Sequence, residues 1–356
     1  MDTETGRRSF LTRAAALAAV PALSGLIADA MLSSPAAAAA TATIDLPDFA
    51  PVPASALGPV LNAQGYYVGR IKRNLYWVKD ASYVAAFLTT RDGVVLFDAP
   101  PSIGHNIQRA IDDVTKPSGL TNKVTHLVYS HHHSDHIGAS GIFGKDVTRI
   151  GHVETRRLLQ RDNDPNKPVP DETFADHRLL HIGGERIALS WHGANHTPDN
   201  IFIHLPDHDA LMLVDIVVPG WVPFGNLNVN VDIPGSIVAA STALSYPWMT
   251  FIGGHMMRLG TRQDLQLHQA YMADLDTSTR SALASVDPTP YFVKYGNNEW
   301  AAIRTLLDAV TEVAAAPVVQ KYLGVLAAAD VYTQSNAYTL QESLRLDSGA
   351  PLPIHA

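Results

Sequence analysis

Apolar and polar positions along this chain fall into two successive regimes. From Gly65 to Asp98, four short runs rich in aromatic and β-branched residues follow one another: GYYVGRI, LYWVKD, SYVAAFLTT and GVVLFDAP. Polar breaks at Asn74, Asp80 and Arg91-Asp92-Gly93 separate them, which predicts consecutive antiparallel strands. Residues 103–114, IGHNIQRAIDDV, carry apolar side chains at helical spacing, and VTHLVYS then reads as a buried strand. The pattern predicts a helix near 152–160, strands near 185–191, 200–205 and 210–216, a helix near 235–245 and a strand at 248–252. Strands interleaved with helices make an α/β architecture. From Thr261 onward the chain turns Ala- and Leu-rich and largely helical, as in DLQLHQAYMADL and NEWAAIRTLLDAVTEVAAAPVVQKYLGVLAAA. Residues 261–356 therefore read as a helical extension, and no internal repeat is present.

At 356 residues and 46% hydrophobic content the chain can bury a full core. A formal charge of -8 disfavours a nucleic-acid partner, since phosphate binding needs a basic footprint. Residues 6–13, GRRSFLTR, precede an alanine-rich, mildly apolar run to about Met31. The arrangement resembles an export signal of the twin-arginine type over residues 1–42, with cleavage in the Ala36–Ala42 tract. Export by that route to the periplasm or the medium is the expectation. Pro21 interrupts the apolar segment, so stable membrane insertion is not expected. Residues 43–64 are rich in Pro and Ala and read as a linker or an extended N-terminal arm. The chain has no cysteine, so any metal site must be built from His, Asp, Glu and water.

The stretch THLVYSHHHSDHIGAS, residues 125–140, holds four histidines and an aspartate within six consecutive positions. His131 and His133 lie two apart just after a strand, so their side chains share a face. Asp135 and His136 follow at what reads as the turn into a helix starting near Gly138. The pattern H-x-H-x-D-H can serve two metals, and His132 falls out of phase with it. Further ligands are needed from elsewhere. His196 sits in WHGANHTPDN after the strand RIALSW, Asp215 ends the apolar run ALMLVDIV, and His255 follows MTFIGG. Each is a candidate at the carboxyl end of an expected strand.

This set, HHHSDH followed by His196, Asp215 and His255, resembles the metallo-β-lactamase-fold superfamily, over roughly residues 65–260. The resemblance implies a four-layer αββα sandwich with two zinc ions at one edge; manganese or iron would suit the same ligands. By matching position, His131, His133 and His196 would hold one ion. Asp135, His136 and His255 would hold the other, with Asp215 bridging. Asp98 matches the family's early aspartate, which orients a ligand histidine. The implied chemistry is attack by a metal-bridging hydroxide, with Asp135 orienting it.

Within the superfamily, the cysteine-dependent β-lactamase subclasses require a ligand this chain lacks. Flavodiiron proteins carry Glu where His133 stands, and the remaining β-lactamase subclass generally lacks the bridging aspartate. The pattern therefore points to the lactonase, esterase and thioesterase branches, acting on a carboxylic ester or lactone of a small molecule. A β-lactamase and a persulfide-dioxygenase-like oxidoreductase with one iron are the alternatives. Trp221 and Phe224, in PGWVPFGNLNVNVDIPG, would wall the substrate pocket or pack the loop onto the core. Tyr291, Phe292 and Tyr295 are candidates for a lid or for helix-packing core.

Overall fold

The structure, a computed structural model, describes residues 46–350. The expected signal, 1–42, lies outside the described residues, as do the last six. Two sheets form the body of the unit that begins at Asp48: a seven-stranded sheet in the order β1-β2-β3-β4-β5-β6-β7 and a five-stranded sheet in the order β12-β11-β10-β9-β8. The first contains Tyr67–Lys72, Leu75–Lys79, Val84–Thr89, Val94–Phe97, Val124–Val128, Thr148–His152 and Glu172–Phe174 as β1 to β7. The second contains His177–Ile182, Glu185–Ser190, Phe202–Leu205, Ala210–Met212 and Thr250–Ile252 as β8 to β12.

Strands β2, β3 and β4 are buried along their whole length. Their continuous apolar runs follow from having both faces covered. One face, with Trp77, Leu88 and Phe97, packs against Ile187, Ile203 and Met212 of the second sheet. The other, with Val78, Phe87 and Leu96, packs against Ile107 and Ile111 of the Asn106–Thr115 helix. On the far side, Ala239, Ala240 and Ala243 of the Ile233–Ser245 helix cover Phe202 and Leu213. The result is the expected αββα layering.

Three strands escaped the sequence pattern. β8 alternates exposed positions with half-buried or buried ones at a sheet edge, and its HRLLHI carries two histidines and an arginine. β6 and β7 are short and hold Arg149, His152 and Glu172 among few apolar residues. The helix expected near Gly138 begins earlier. Ser134–Ile137 forms a single α-turn, and a 3-10 turn at Ser140–Phe143 follows. Gly138 caps the first turn through a bond from its N–H to Ser134 O, 2.7 Å.

Beyond the sandwich, the helices Arg262–Ser285, Thr289–Tyr295, Glu299–Tyr322 and Ala329–Leu346 share a core that includes Tyr271, Leu275, Leu306, Val310 and Leu340. A capping box starts the first of them: the Asp264 carboxylate accepts from Thr261 N at 2.8 Å. Tyr291 and Phe292 pack against this helical core, and Thr289–Tyr295 is a short helix. Their role there is packing rather than covering the site. No helix among the described residues is long and apolar enough to cross a membrane.

His268, on Arg262–Ser285, is buried, and burial pushes its imidazole down to about 4. An unfolded histidine titrates near 6.5, so between the two values the unfolded chain binds the extra proton. The stability this neutral residue allows is therefore complete above pH 6.5 and is lost as pH falls toward 4. The loss at pH 4 is about 3 kcal/mol. Urea denaturation of metal-free protein and of His268→Leu should diverge by that amount between pH 7 and pH 4. Parallel profiles would show that His268 is not held neutral.

Candidate metal centre

Every candidate ligand follows the end of a strand. His131 and His133 come after β5, His196 after β9, Asp215 after β11 and His255 after β12. Asp135 and His136 lie on the α-turn Ser134–Ile137. These seven residues converge in two groups: His131, His133, His196 and Asp215 in one, Asp135, His136 and His255 in the other. Within each group the ligand atoms lie within 4.8 Å of one another.

Asp215 faces both groups. Its Oδ2 is 3.1 Å from His196 Nε2, 3.5 Å from His131 Nε2 and 3.0 Å from His136 Nε2. Its Oδ1 is 2.9 Å from His255 Nε2. Asp135 Oδ2 lies 3.5 Å from His136 Nε2 and 3.7 Å from His255 Nε2. Gly254, at φ 85, permits this crowding, because a Cβ there would stand 2.5 Å from Val214 Cγ1 and 3.2 Å from His136 Cε1.

The donor set fits divalent cations. His133 Nδ1 and His196 Nε2 are 3.0 Å apart, as are His136 Nε2 and His255 Nε2. Imidazole lone pairs this close repel unless a proton or a cation lies between them. His131 Nε2 is buried without a hydrogen-bond partner, a cost that a bound cation removes. Five imidazoles and two carboxylates suit zinc, with manganese or iron compatible.

Neighbouring groups fix the tautomers. Ser130 Oγ donates its one proton to Asp98 Oδ2 at 2.6 Å, so at 3.0 Å it can only accept from His131 Nδ1. His131 Nε2 is therefore left as a lone pair. Asp98 thus acts on His131 through Ser130 rather than directly, and it also accepts from Ser130 N at 2.8 Å. Asn230 Oδ1 does the same for His196, accepting from Nδ1 at 2.9 Å. His132 turns away from the ligand atoms and donates from Nδ1 to Asp199 Oδ1 at 2.8 Å.

Burial depresses His131 well below the ordinary value, and burial with His196 and His132 nearby brings His133 down to about 4. Burial also pushes Asp98 up to about 6. Burial alone would lower His136, but the Asp215 and Asp135 carboxylates override it and raise it to about 9. Burial works against the Asp215 carboxylate too, yet His136, His196 and His255 hold it well below the usual range. The proton retained on His136 must leave when a cation binds, so loading weakens as pH falls.

A cavity of about 430 Å³ opens over the cluster, bordered by His133, Asp135, His196, Asp215 and His255. Trp221 and Phe224 line it, as the sequence suggested, together with Tyr83, Val229, Met256 and Tyr332, which it did not. Tyr83 lies between β2 and β3, far from the motif in sequence; its hydroxyl donates to Asp135 Oδ2 at 3.4 Å. Tyr332 belongs to the Ala329–Leu346 helix.

The loop after Asp215 contains a left-handed turn, with φ of 57, 52, 59 and 56 at Asn226, Leu227, Asn228 and Val229. Such backbone costs on the order of 1–3 kcal/mol per residue and persists only where its surroundings impose it. Here Asn336 Oδ1 accepts from Leu227 N at 2.8 Å, and Asn336 Nδ2 donates to Pro223 O at 2.9 Å. Asn228 Nδ2 ties the turn to Asp215 O at 3.0 Å. Replacing Asn230, just past the turn, by Ala should weaken metal binding about 10- to 100-fold, the usual effect of losing a ligand's partner. Competition with a chromogenic chelator measures it; unchanged affinity would show that the bond to His196 Nδ1 is incidental.

No family model matches the chain. It is 29% identical over 135 residues to metallo-β-lactamase IND-1 of Chryseobacterium indologenes, covering 37% of this chain and 54% of that protein. It is 24% identical over 211 residues to the alpha subunit of 2,4-dinitroanisole O-demethylase of Nocardioides sp. strain JS1661, covering 57% of this chain and 62% of that one. It is 22% identical over 233 residues to metallo-β-lactamase type 2 of Elizabethkingia meningoseptica, covering 64% and 75%. The chain thus matches 54% and 62% of the length of the first two relatives. Among solved structures, a metallo-β-lactamase from Pontibacter korlensis aligns at TM-score 0.49 and 19% identity, over 58% of this chain and 97% of that one. Metallo-β-lactamase IND-7 aligns at 0.48 and 22%, over 59% and 100%. The two facing sheets with their helical outer layers are the metallo-β-lactamase fold, with a His/Asp cluster fit for metal at the strand ends, and the sequence relatives include two metallo-β-lactamases.

Proposed function

We propose that this protein is an exported binuclear zinc hydrolase that cleaves a carboxylic ester or lactone of a small molecule. The observation that carries the reading is the position of Asp215, within 3.1 Å of His196 Nε2, 3.0 Å of His136 Nε2 and 2.9 Å of His255 Nε2. One carboxylate in contact with both ligand groups suits a pair of cations. In this reading His131, His133 and His196 hold one, Asp135, His136 and His255 the other, and Asp215 both.

When bound, such cations supply Lewis acidity and lower the pKa of water toward neutrality. The chain's own groups supply the rest. Asp135, whose side chain is 41% exposed beside the cavity, is placed to orient a water molecule and accept its proton. The Tyr83 hydroxyl, donating to Asp135, keeps that carboxylate directed toward the cluster. The Ser130 and Asn230 contacts hold His131 and His196 in the tautomers that ligation needs. The apolar cavity walls bind the organic part of the substrate and exclude bulk water.

Hydrolysis of a panel of lactones, aryl esters, phosphotriesters and β-lactams by metal-quantified protein tests the reading. Ester or lactone cleavage that disappears with chelation and returns with zinc supports it; turnover of none of the esters or lactones refutes it. A second reading, β-lactam hydrolysis, draws support from two of the sequence relatives. Rapid turnover of a chromogenic cephalosporin would favour it.

A further inference from the structure

We propose that the group seated over the metal centre is an uncharged aromatic ring, and that the Ala329–Leu346 helix helps select it through Tyr332. The inference rests on the hydrolytic reading of the site and adds the class of substrate. Three separate parts of the chain build the walls. Tyr83 and Met256 come from sandwich loops, Trp221, Phe224 and Val229 from the loop after Asp215, and Tyr332 from the C-terminal layer.

The chemistry of these walls is one-sided. Among the described residues lining the cavity there is no lysine or arginine; its ionisable groups are Tyr83, Tyr332 and members of the ligand cluster itself. A substrate carboxylate held away from the cluster would lie against aromatic carbon, stripped of water and without a countercharge. An uncharged ring meets no such penalty. The Phe224 and Tyr332 rings lie 4.8 Å apart between centroids at 57°, a tilted pair that can take a third ring against it. Phe224 is 57% exposed, an aromatic side chain with contact area still to fill. Volume agrees: a cavity of about 150 Å³ suffices for benzene, so about 430 Å³ admits a substituted ring with its ester arm.

The wall is also fixed in place. Trp221 pairs with Ala327 in an isolated bridge, Val222 N donates to Ala327 O at 3.1 Å, and Ala327 N donates to Gly220 O at 2.9 Å. The left-handed turn presenting Val229 is held from the Ala329–Leu346 helix by Asn336. A wall set before the ligand arrives selects by shape and charge rather than by adapting.

Calorimetric binding to the zinc-loaded protein tests the inference with two probes of nearly the same shape, one neutral and one anionic, 4-acetamidobenzamide and 4-acetamidobenzoate. The uncharged amide should bind at least tenfold more tightly. Phe224→Lys should reverse or abolish that preference, and Tyr332→Ala should weaken the amide about tenfold. Equal or tighter binding of the carboxylate by the unaltered protein overturns the inference, whatever the variants do. Hydrolysis of the matching esters, 4-acetoxybenzamide and 4-acetoxybenzoate, reports separately on the functional reading. Charge preference in binding without hydrolysis removes the hydrolase reading and leaves the cavity assignment standing. Zinc-dependent hydrolysis without preference does the reverse.

Discussion

Asp215→Asn should fold normally, lose at least one of two bound cations and lose at least about 100-fold in kcat. The scale follows from partners of ligands, whose loss alone costs 10- to 100-fold, so a ligand touching both groups must cost more. The choice of Asn is set by the backbone. Asp215 has φ 63, and Asn is among the few residues that tolerate the left-handed region, so the exchange removes charge without straining the chain. Its amide can occupy the same space but carries no charge to offset cations held by the two groups. Metal content by mass spectrometry and a thermal melt on the same sample separate loss of ligation from loss of fold. Full metal content with undiminished turnover would show that Asp215 is not a ligand.

His133→Ala should abolish zinc-dependent hydrolysis and metal loading at the first group while far-ultraviolet circular dichroism stays unchanged. His133 presents Nδ1 to the cluster, 3.0 Å from His196 Nε2, and belongs to a connection after β5 rather than to a strand. Its removal therefore leaves the sheets intact. Burial already holds it down to about 4, so it contributes no charge to the fold at neutral pH. Retained activity in this variant would exclude the assignment of His131, His133 and His196 as one ligand set.

The parts of this site that were legible in the sequence are those that chemistry crowds together or marks as incongruous. Six positions of HHHSDH stand out because few folds need so many imidazoles at once, and Asp215 because a carboxylate interrupts an apolar run. Strands β2 to β4 were legible because full burial leaves unbroken apolar runs. β8 was not, since an edge strand buried on one side tolerates His177, Arg178 and His181. Ser130, Asn230, Tyr83 and Tyr332 share a different obstacle. Each acts through a contact set by the tertiary fold, at a separation no local spacing encodes. The left-handed turn at Asn226–Val229 was equally hidden, because Leu and Val disfavour that conformation and the contacts that hold it include one to Asn336, more than a hundred residues later.

Metal stoichiometry measured alongside ester hydrolysis bears most directly on the whole reading. Protein purified without chelator, or reconstituted, should carry two zinc ions per chain, lose hydrolysis in step with chelation and regain it in step with zinc. A chain that binds a single iron, or that hydrolyses its ester undiminished after exhaustive chelation, contradicts it.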